Sequence, residues 1–372
     1  MYNRKAHKGH RDGDFDTYWR FTEVYELVID SLRMAYLQRF SDVQIGNLLG
    51  GKRSLNVGRI GGMSRIAKAL DTVPAELLSR FGLDYIGMCM FGYTSKPYHI
   101  GCGLMTMPLD CLLTPEKYWL IFHEAGHEAH TMLLNSNHPI LNKTKEERKK
   151  LIDIHRRKVE SNSEDYEPSY IDEHMIEFNE LVEYMETEIF SDFYEYNFAF
   201  SRNWEEYLDT VWKYISSNYN VDYKNITRLF MIYIFMDPNR SQINIKEDFN
   251  LLEMLTPCVQ DLERISGKIP KHVKDEAAAF FHQLIDVGFI LANFINNHII
   301  TPPDVSLLDK IRSELSQGKI IIGVDPVTII RSLTKLPQSQ IDLRCRLATI
   351  MSLYNHYTKS NNSFLTYSHH KK

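Results

Sequence analysis

Apolar residues recur at helical spacing along most of this chain. The stretches Phe15 to Phe40, Met63 to Phe81, Glu173 to Phe200 and Trp204 to Ser217 place them three and four apart, which predicts amphipathic helices. Further helices are expected over Tyr223 to Phe235, Val273 to Asn297 and Ile341 to Tyr357. Between Tyr98 and Leu109 the pattern changes: an apolar run holds Gly101 and Gly103, and a strand is expected there. Ile320-Ile321-Ile322-Gly323 is too short to classify. The segment Asn142 to Ser169 is polar, with basic clusters at Lys145 to Lys150 and Arg156 to Lys158 interleaved with acidic residues, and reads as a solvated helix and loop. Together these elements predict a mainly α protein with a small β-sheet, in three consecutive parts. An N-terminal helical lobe covers 1–84, a core covers 85–200 and a C-terminal helical lobe covers 201–372.

The helical pattern acquires a chemical meaning at His123-Glu124-Ala125-Gly126-His127-Glu128-Ala129-His130. Residues four apart share a helix face, so His123 and His127 can offer their imidazoles to one metal ion. Glu124 can then reach a metal-activated water as general base, the H-E-x-x-H arrangement of zinc peptidases. A helix is expected from Pro115 to Leu134, with Thr114 as N-cap, Pro115 at the first helical position and Glu116 in the first turn. The competing reading is a chance match in a chain with 15 histidines. The preceding strand and a matching third ligand both weigh against it.

A catalytic zinc needs three protein ligands and an open position. His130 is the nearest third candidate, on the same stripe, but the longer-spaced third histidine of metzincins is missing. The helix Glu173 to Phe200 offers Glu177, Glu180, Glu183, Glu186 and Glu188 instead. Glu183 and Glu188 stand about 140° apart around a helix, so both cannot face one ion. Glu188 has Asp192 one turn further on, where a carboxylate can accept the free N–H of a ligand histidine and fix its tautomer. Glu188 is therefore chosen as third ligand and Asp192 as its supporting carboxylate, with one Zn2+ per chain. The other four glutamates read as solvated.

Composition adds only boundaries. The 372 residues are 44% hydrophobic and 24% charged with a net charge of -5, values of an ordinary globular protein. Nothing in that balance calls for nucleic acid or an anionic membrane as partner. Met1 to Gly13 is basic and polar, without the apolar core of a signal peptide. Even the apolar run Val287 to Ile295 looks too short to cross a bilayer, so no membrane partner is expected. Five scattered cysteines, none in C-x-x-C spacing, read as reduced buried thiols of a cytoplasmic protein.

At this point the chain resembles the gluzincin oligopeptidases of the thimet oligopeptidase and oligoendopeptidase F kind. Their first motif reads F-H-E-x-G-H-A-x-H; here Phe122 to His130 keeps both histidines, the glutamate, the glycine and the final histidine. Their third-ligand helix carries E-x-x-S with a glutamate four residues later, matched by Glu188-Ile189-Phe190-Ser191 and Glu195. The likeness spans Leu112 to Asn197, less than a quarter of the chain. It implies a zincin-like catalytic core, with a small sheet beside the active-site helix and helices around it. It also implies hydrolysis of oligopeptides or unfolded segments. The separation of the two motifs is longer than is usual in that family and the chain is shorter, which implies an inserted charged segment and a reduced helical cap. The family's C-terminal histidine and tyrosines, which stabilise the transition state, have two weak counterparts here. One is His282, near Phe281 and Phe289; the other is the group Tyr354, His356 and Tyr357.

A fainter resemblance concerns residues 41–78, where Ser41 to Gly50, Lys52 to Gly62 and Met63 to Leu78 are similar to a repressor-type helix-turn-helix. Ile66 to Leu70 followed by Pro74 to Leu78 is the nearest part. The expected function is zinc-dependent peptide-bond hydrolysis. The alternatives are a DNA-binding regulator with a repressor-cleaving peptidase, and an inactive zinc-binding interaction protein. The oligomeric state is not written in these residues.

Overall fold

The three-dimensional structure is a computed structural model that describes residues 62–85, 87–101, 103–162, 168–236, 251–298 and 300–369. The helix expected over Phe15 to Phe40 and residues 41–61 of the helix-turn-helix candidate lie outside that set. Mainly α architecture with a small sheet is what the described residues form. The chain divides into two compact units. Residues 84–121 and 305–372, with the segment ending at Ser79, make the first; Arg80–Leu83 and Phe122–Asp304 make the second. This grouping cuts across the three consecutive parts expected from the sequence, because the C-terminal helices join the sheet-bearing segment and not the helices that immediately precede them.

In the first unit, α1 (Gly62–Arg80) runs unbroken through Pro74, with Ala67, Leu70, Val73, Leu77 and Leu78 buried. The nearest part of the helix-turn-helix candidate is thus one continuous helix. Strands β1 (Met88–Gly92), β2 (Tyr98–Gly101) and β3 (Leu104–Pro108) form a sheet in the order β1-β3-β2. β3 pairs parallel with β1 and antiparallel with β2. The single strand expected from Tyr98 to Leu109 is therefore two strands. Gly101 and Gly103 have φ of 96° and 75°, a left-handed conformation that other residues rarely adopt, and they turn the chain back on itself. Central and wholly buried, β3 has no free edge on which a peptide could add as a further strand. Helices α10 (Val305–Ser316), α11 (Pro326–Thr334) and α12 (Leu343–His369) come later in the chain; α11 packs on the 3-10 turns of Pro115–Leu120, and Arg346 of α12 pairs with Glu116 at 2.7 Å.

The second unit is helical. It holds α2 (Ile121–Asn135, from Phe122), α3 (Pro139–Asn162), α4 (Pro168–Tyr194), α5 (Trp204–Tyr207), α6 (Lys213–Asn218), α7 (Tyr223–Phe235), α8 (Leu251–Ser266) and α9 (Lys271–Asn296). The charged segment after Asn142 is helical through Asn162 and packs as α3 along α4. α9 packs against α3, α4 and α7 and buries Phe281, Leu284, Val287, Leu291 and Ile295. At 26 residues α9 is long and apolar enough to cross a bilayer by length and composition, which corrects the expectation that the run around Val287 is too short. Half of its most apolar window is buried within the protein. Phe81 meets Phe190, Tyr194, Phe198 and Phe294 at centroid distances of 5.2 to 6.5 Å, an aromatic core behind the last turns of α4. The described cysteines Cys89, Cys111, Cys258 and Cys345 are buried, as expected.

Candidate metal centre

The lead-in to α2 differs from the expected one. Pro115–Leu120 forms 3-10 turns, Thr114 makes no side-chain cap, and its hydroxyl donates to the Asp110 carbonyl at 3.0 Å instead. The α-helix proper starts at Ile121 and carries His123, Glu124 and His127 on consecutive turns. Close approach of α4 depends on Gly126. A Cβ there would lie 2.6 Å from Ser191 Cα and 2.9 Å from Ser191 O, so only glycine lets the two helix backbones touch. Gly126 and Ser191 belong to the two motifs, and their contact brings the motifs together.

Glu188 arrives between the two imidazoles. Its Oε2 lies 3.3 Å from His123 Nε2 and its Oε1 lies 3.5 Å from His127 Nε2. A tetrahedron of zinc bonds about 2.0 to 2.2 Å long has edges of about 3.3 to 3.6 Å. The donor atoms of His123, His127 and Glu188 all lie within 4.8 Å of one another, and two imidazoles with one carboxylate form a zinc-type set. The residues present fit the ion. Asp192 does what its spacing predicts: its Oδ1 is 3.1 Å from His123 Nδ1, on the opposite side of the ring from Glu188.

Arg228 was not anticipated. From α7, its Nε and one terminal nitrogen each donate to Asp192 at 2.6 Å, while the other terminal nitrogen lies 2.7 Å from Glu188 Oε2. One guanidinium therefore spans the carboxylates of both Glu188 and Asp192. A signal for it exists in the sequence, since Arg228 is the lone charged residue between Ile226 and Phe235. A charge in such a run needs counter-charges once buried. Asp222 caps α7 by accepting from the Asn225 amide at 2.9 Å, which sets the helix start and hence the position of Arg228.

The cluster is largely removed from solvent, and its electrostatics follow. Burial opposes charge on His123, but its bonds to Asp192 and Glu188 prevail and raise its pKa well above the ordinary histidine value. Burial likewise works against ionised Glu188, and Arg228 with His123 overcomes it, leaving the carboxyl below the usual range. Asp192 is lowered by the same balance of burial against Arg228. Glu195, the last glutamate of the second motif, opens a π-helical turn (Glu195–Ala199) and is fully buried. Burial pushes it up to about 8, and the Tyr207 hydroxyl donates to its Oε2 at 3.4 Å. The flanking carboxylates thus favour the protonated form of His123, and a divalent ion would compete with its Nε2 proton.

The other sequence candidates separate cleanly. Glu124 is buried on α2, one residue beyond His123. His130 is not a ligand: its ring lies 5.2 Å from Phe190, burial lowers it to about 4, and its Nε2 has no hydrogen-bond partner among the described residues. Glu177, Glu180 and Glu183 are exposed, as expected. Glu186 is not solvated. It is 4% exposed, takes a 2.6 Å hydrogen bond from Thr144 and faces Arg148 at 3.3 Å, because α3 covers that side of α4. His282 is exposed on α9 and, among the described residues, shares no hydrogen bond, ion pair or ring contact with the cluster. Tyr354, His356 and Tyr357 lie on α12 in the first unit, whereas His123, His127, Glu188, Asp192 and Arg228 all belong to the second. Tyr184 is a further unanticipated neighbour: half-exposed one turn before Glu188, its phenol is raised by burial and then by the Glu188 charge. No family model, curated protein or solved structure matches this chain.

Proposed function

We propose that the chain is a zinc metallopeptidase of gluzincin type, holding one ion through His123, His127 and Glu188 and hydrolysing oligopeptides or unfolded segments. The observation that carries this reading is the convergence of His123 Nε2, His127 Nε2 and the two Glu188 oxygens at 3.3 and 3.5 Å, the donor spacing of a tetrahedral site. A zincin-like core around α2 and α4 is part of the same reading. When bound, the ion supplies Lewis acidity toward the scissile carbonyl and brings a water's pKa down to about 7.

The chain's own residues supply the rest. Asp192 holds His123 through Nδ1, which would leave Nε2 to bind the ion. Arg228 holds one Glu188 oxygen and leaves Oε1 facing His127. Glu124 takes the attacking water's proton and delivers it to the leaving amine. His130, buried and neutral, packs the back of α2 and takes no part in the chemistry.

The test pairs metal analysis with cleavage of quenched fluorescent peptides by wild type and Glu124→Gln. Glu124→Gln is expected to keep stoichiometric zinc and to lose about 10²- to 10⁴-fold in rate. Activity equal to wild type in that variant, or a wild-type protein that purifies and reconstitutes without zinc, overturns the reading.

A further inference from the structure

A second pair of imidazoles meets elsewhere in the helical unit. α3 and α4 run antiparallel, with Thr144 of α3 on Glu186 of α4 and, toward the other end, His155 of α3 on His174 of α4. His155 Nε2 and His174 Nε2 are 3.2 Å apart. The His155 ring lies face-on over Phe178, with centroids 3.7 Å apart and planes within 10°. Phe178 stands one turn after His174 on the same face of α4, so the stack fixes the His155 ring where its Nε2 meets that of His174. At the neighbouring position Arg156 pairs with Asp172 at 3.4 Å and holds the same two helices together.

Two nitrogen lone pairs at this distance repel unless something sits between them. Either one ring donates its N–H to the other, or a cation takes both. The separation is close to the ligand–ligand edge of about 3.3 Å expected for two imidazoles on one ion. Both rings are partly exposed, so water can complete the coordination. Burial, His174 and Lys158 lower His155, which favours the neutral ligand form.

We propose that His155 and His174 form a second, independent metal site that binds imidazole-preferring divalent ions such as Ni2+, Cu2+ or Zn2+ and clips α3 to α4. It shares no residue with the His123 cluster and does not depend on the peptidase reading. The chemistry of two imidazoles with open positions suits these ions and not the oxygen-seeking Mg2+ or Ca2+.

Ni2+ titration of the full chain by calorimetry, in wild type, His155→Asn, His174→Asn and His123→Asn, tests this. Wild type and His123→Asn are expected to share a binding event that weakens at least about tenfold in His155→Asn and in His174→Asn. An unchanged event in both of those variants, or none in wild type, overturns the proposal. A second measurement needs no substitution: Ni2+ should slow diethyl pyrocarbonate modification of His155 and His174 in wild type, followed by mass spectrometry. Equal rates with and without Ni2+ would overturn it as well.

Discussion

Along α4, the stretch from Glu173 to Tyr184 and the stretch from Met185 to Tyr194 are both rich in carboxylates yet sit in opposite surroundings. In the first, Glu173, Glu177, Glu180 and Glu183 face solvent. In the second, Glu186, Glu188 and Asp192 are largely out of water, and each has a hydrogen-bonding or ionic partner: Thr144 and Arg148, His123 and His127, or Arg228. The difference comes from what lies against the helix. α2 touches the second stretch at Gly126, and Phe190, Phe193 and Tyr194 seal it from behind. A carboxylate stripped of water must find donors or cations, and Arg228 with His123 keeps Glu188 and Asp192 charged against the burial that opposes it. The exposed stretch carries the same residue type with none of that consequence.

The comparison breaks most visibly at Arg228. Arg228→Met leaves Glu188 and Asp192 buried without their shared cation and is expected to cost about 3 to 5 kcal/mol in the metal-free chain. Zinc should recover part of that loss, so urea unfolding with and without chelator should show a wider gap than in wild type. A loss below about 1 kcal/mol would show that water, not Arg228, compensates the two charges.

His130 sharpens the contrast through pH. In the folded chain burial holds its pKa at about 4, against 6.5 for the free side chain. The unfolded chain therefore binds the extra proton first, and stability drains as pH falls from about 6.5 to about 4, by at most about 3 kcal/mol. Above pH 6.5 the residue contributes no slope. His130→Gln should flatten the stability curve within that window alone; parallel curves for the two proteins would show that His130 titrates normally.

Gly126→Ala tests the helix contact. The added methyl forces α2 off Ser191, with an expected cost of about 1 to 3 kcal/mol and weaker zinc retention in equilibrium dialysis. Retention at the wild-type level would mean that the ligand geometry does not depend on this approach. The smallest effect belongs to the solvated stretch: Glu180→Ala should change the unfolding free energy by no more than about 0.5 kcal/mol and leave activity untouched. A large change there would erase the distinction between the two stretches.

Several elements were legible because local forces specify them. Tyr223–Phe235 is bounded in the structure as its apolar run indicates, and α9 follows its apolar stripe. The i, i+4 pair His123 and His127, and the Glu188–Asp192 spacing with Asp192 set on His123, were equally readable, since helix geometry alone places them. The hairpin at Gly101 was not, because an apolar run does not announce where its glycines adopt positive φ. The burial of Glu186 was missed for a different reason: its cover comes from α3, a helix whose own pattern is nearly all polar.

Sequence by itself determined the strongly patterned helices, such as Tyr223–Phe235 and Lys271–Asn296, and the side chains their faces present, because those depend on neighbours three and four residues away; the helices Leu251–Ser266, Val305–Ser316 and Pro326–Thr334 were not read from it. Tertiary structure decided which faces meet. It set Gly126 against Ser191, drew Arg228 onto two carboxylates 36 and 40 residues earlier, and made β3 the middle strand. Such choices rest on packing and on the exclusion of water between segments distant along the chain, and no local pattern of residues encodes them.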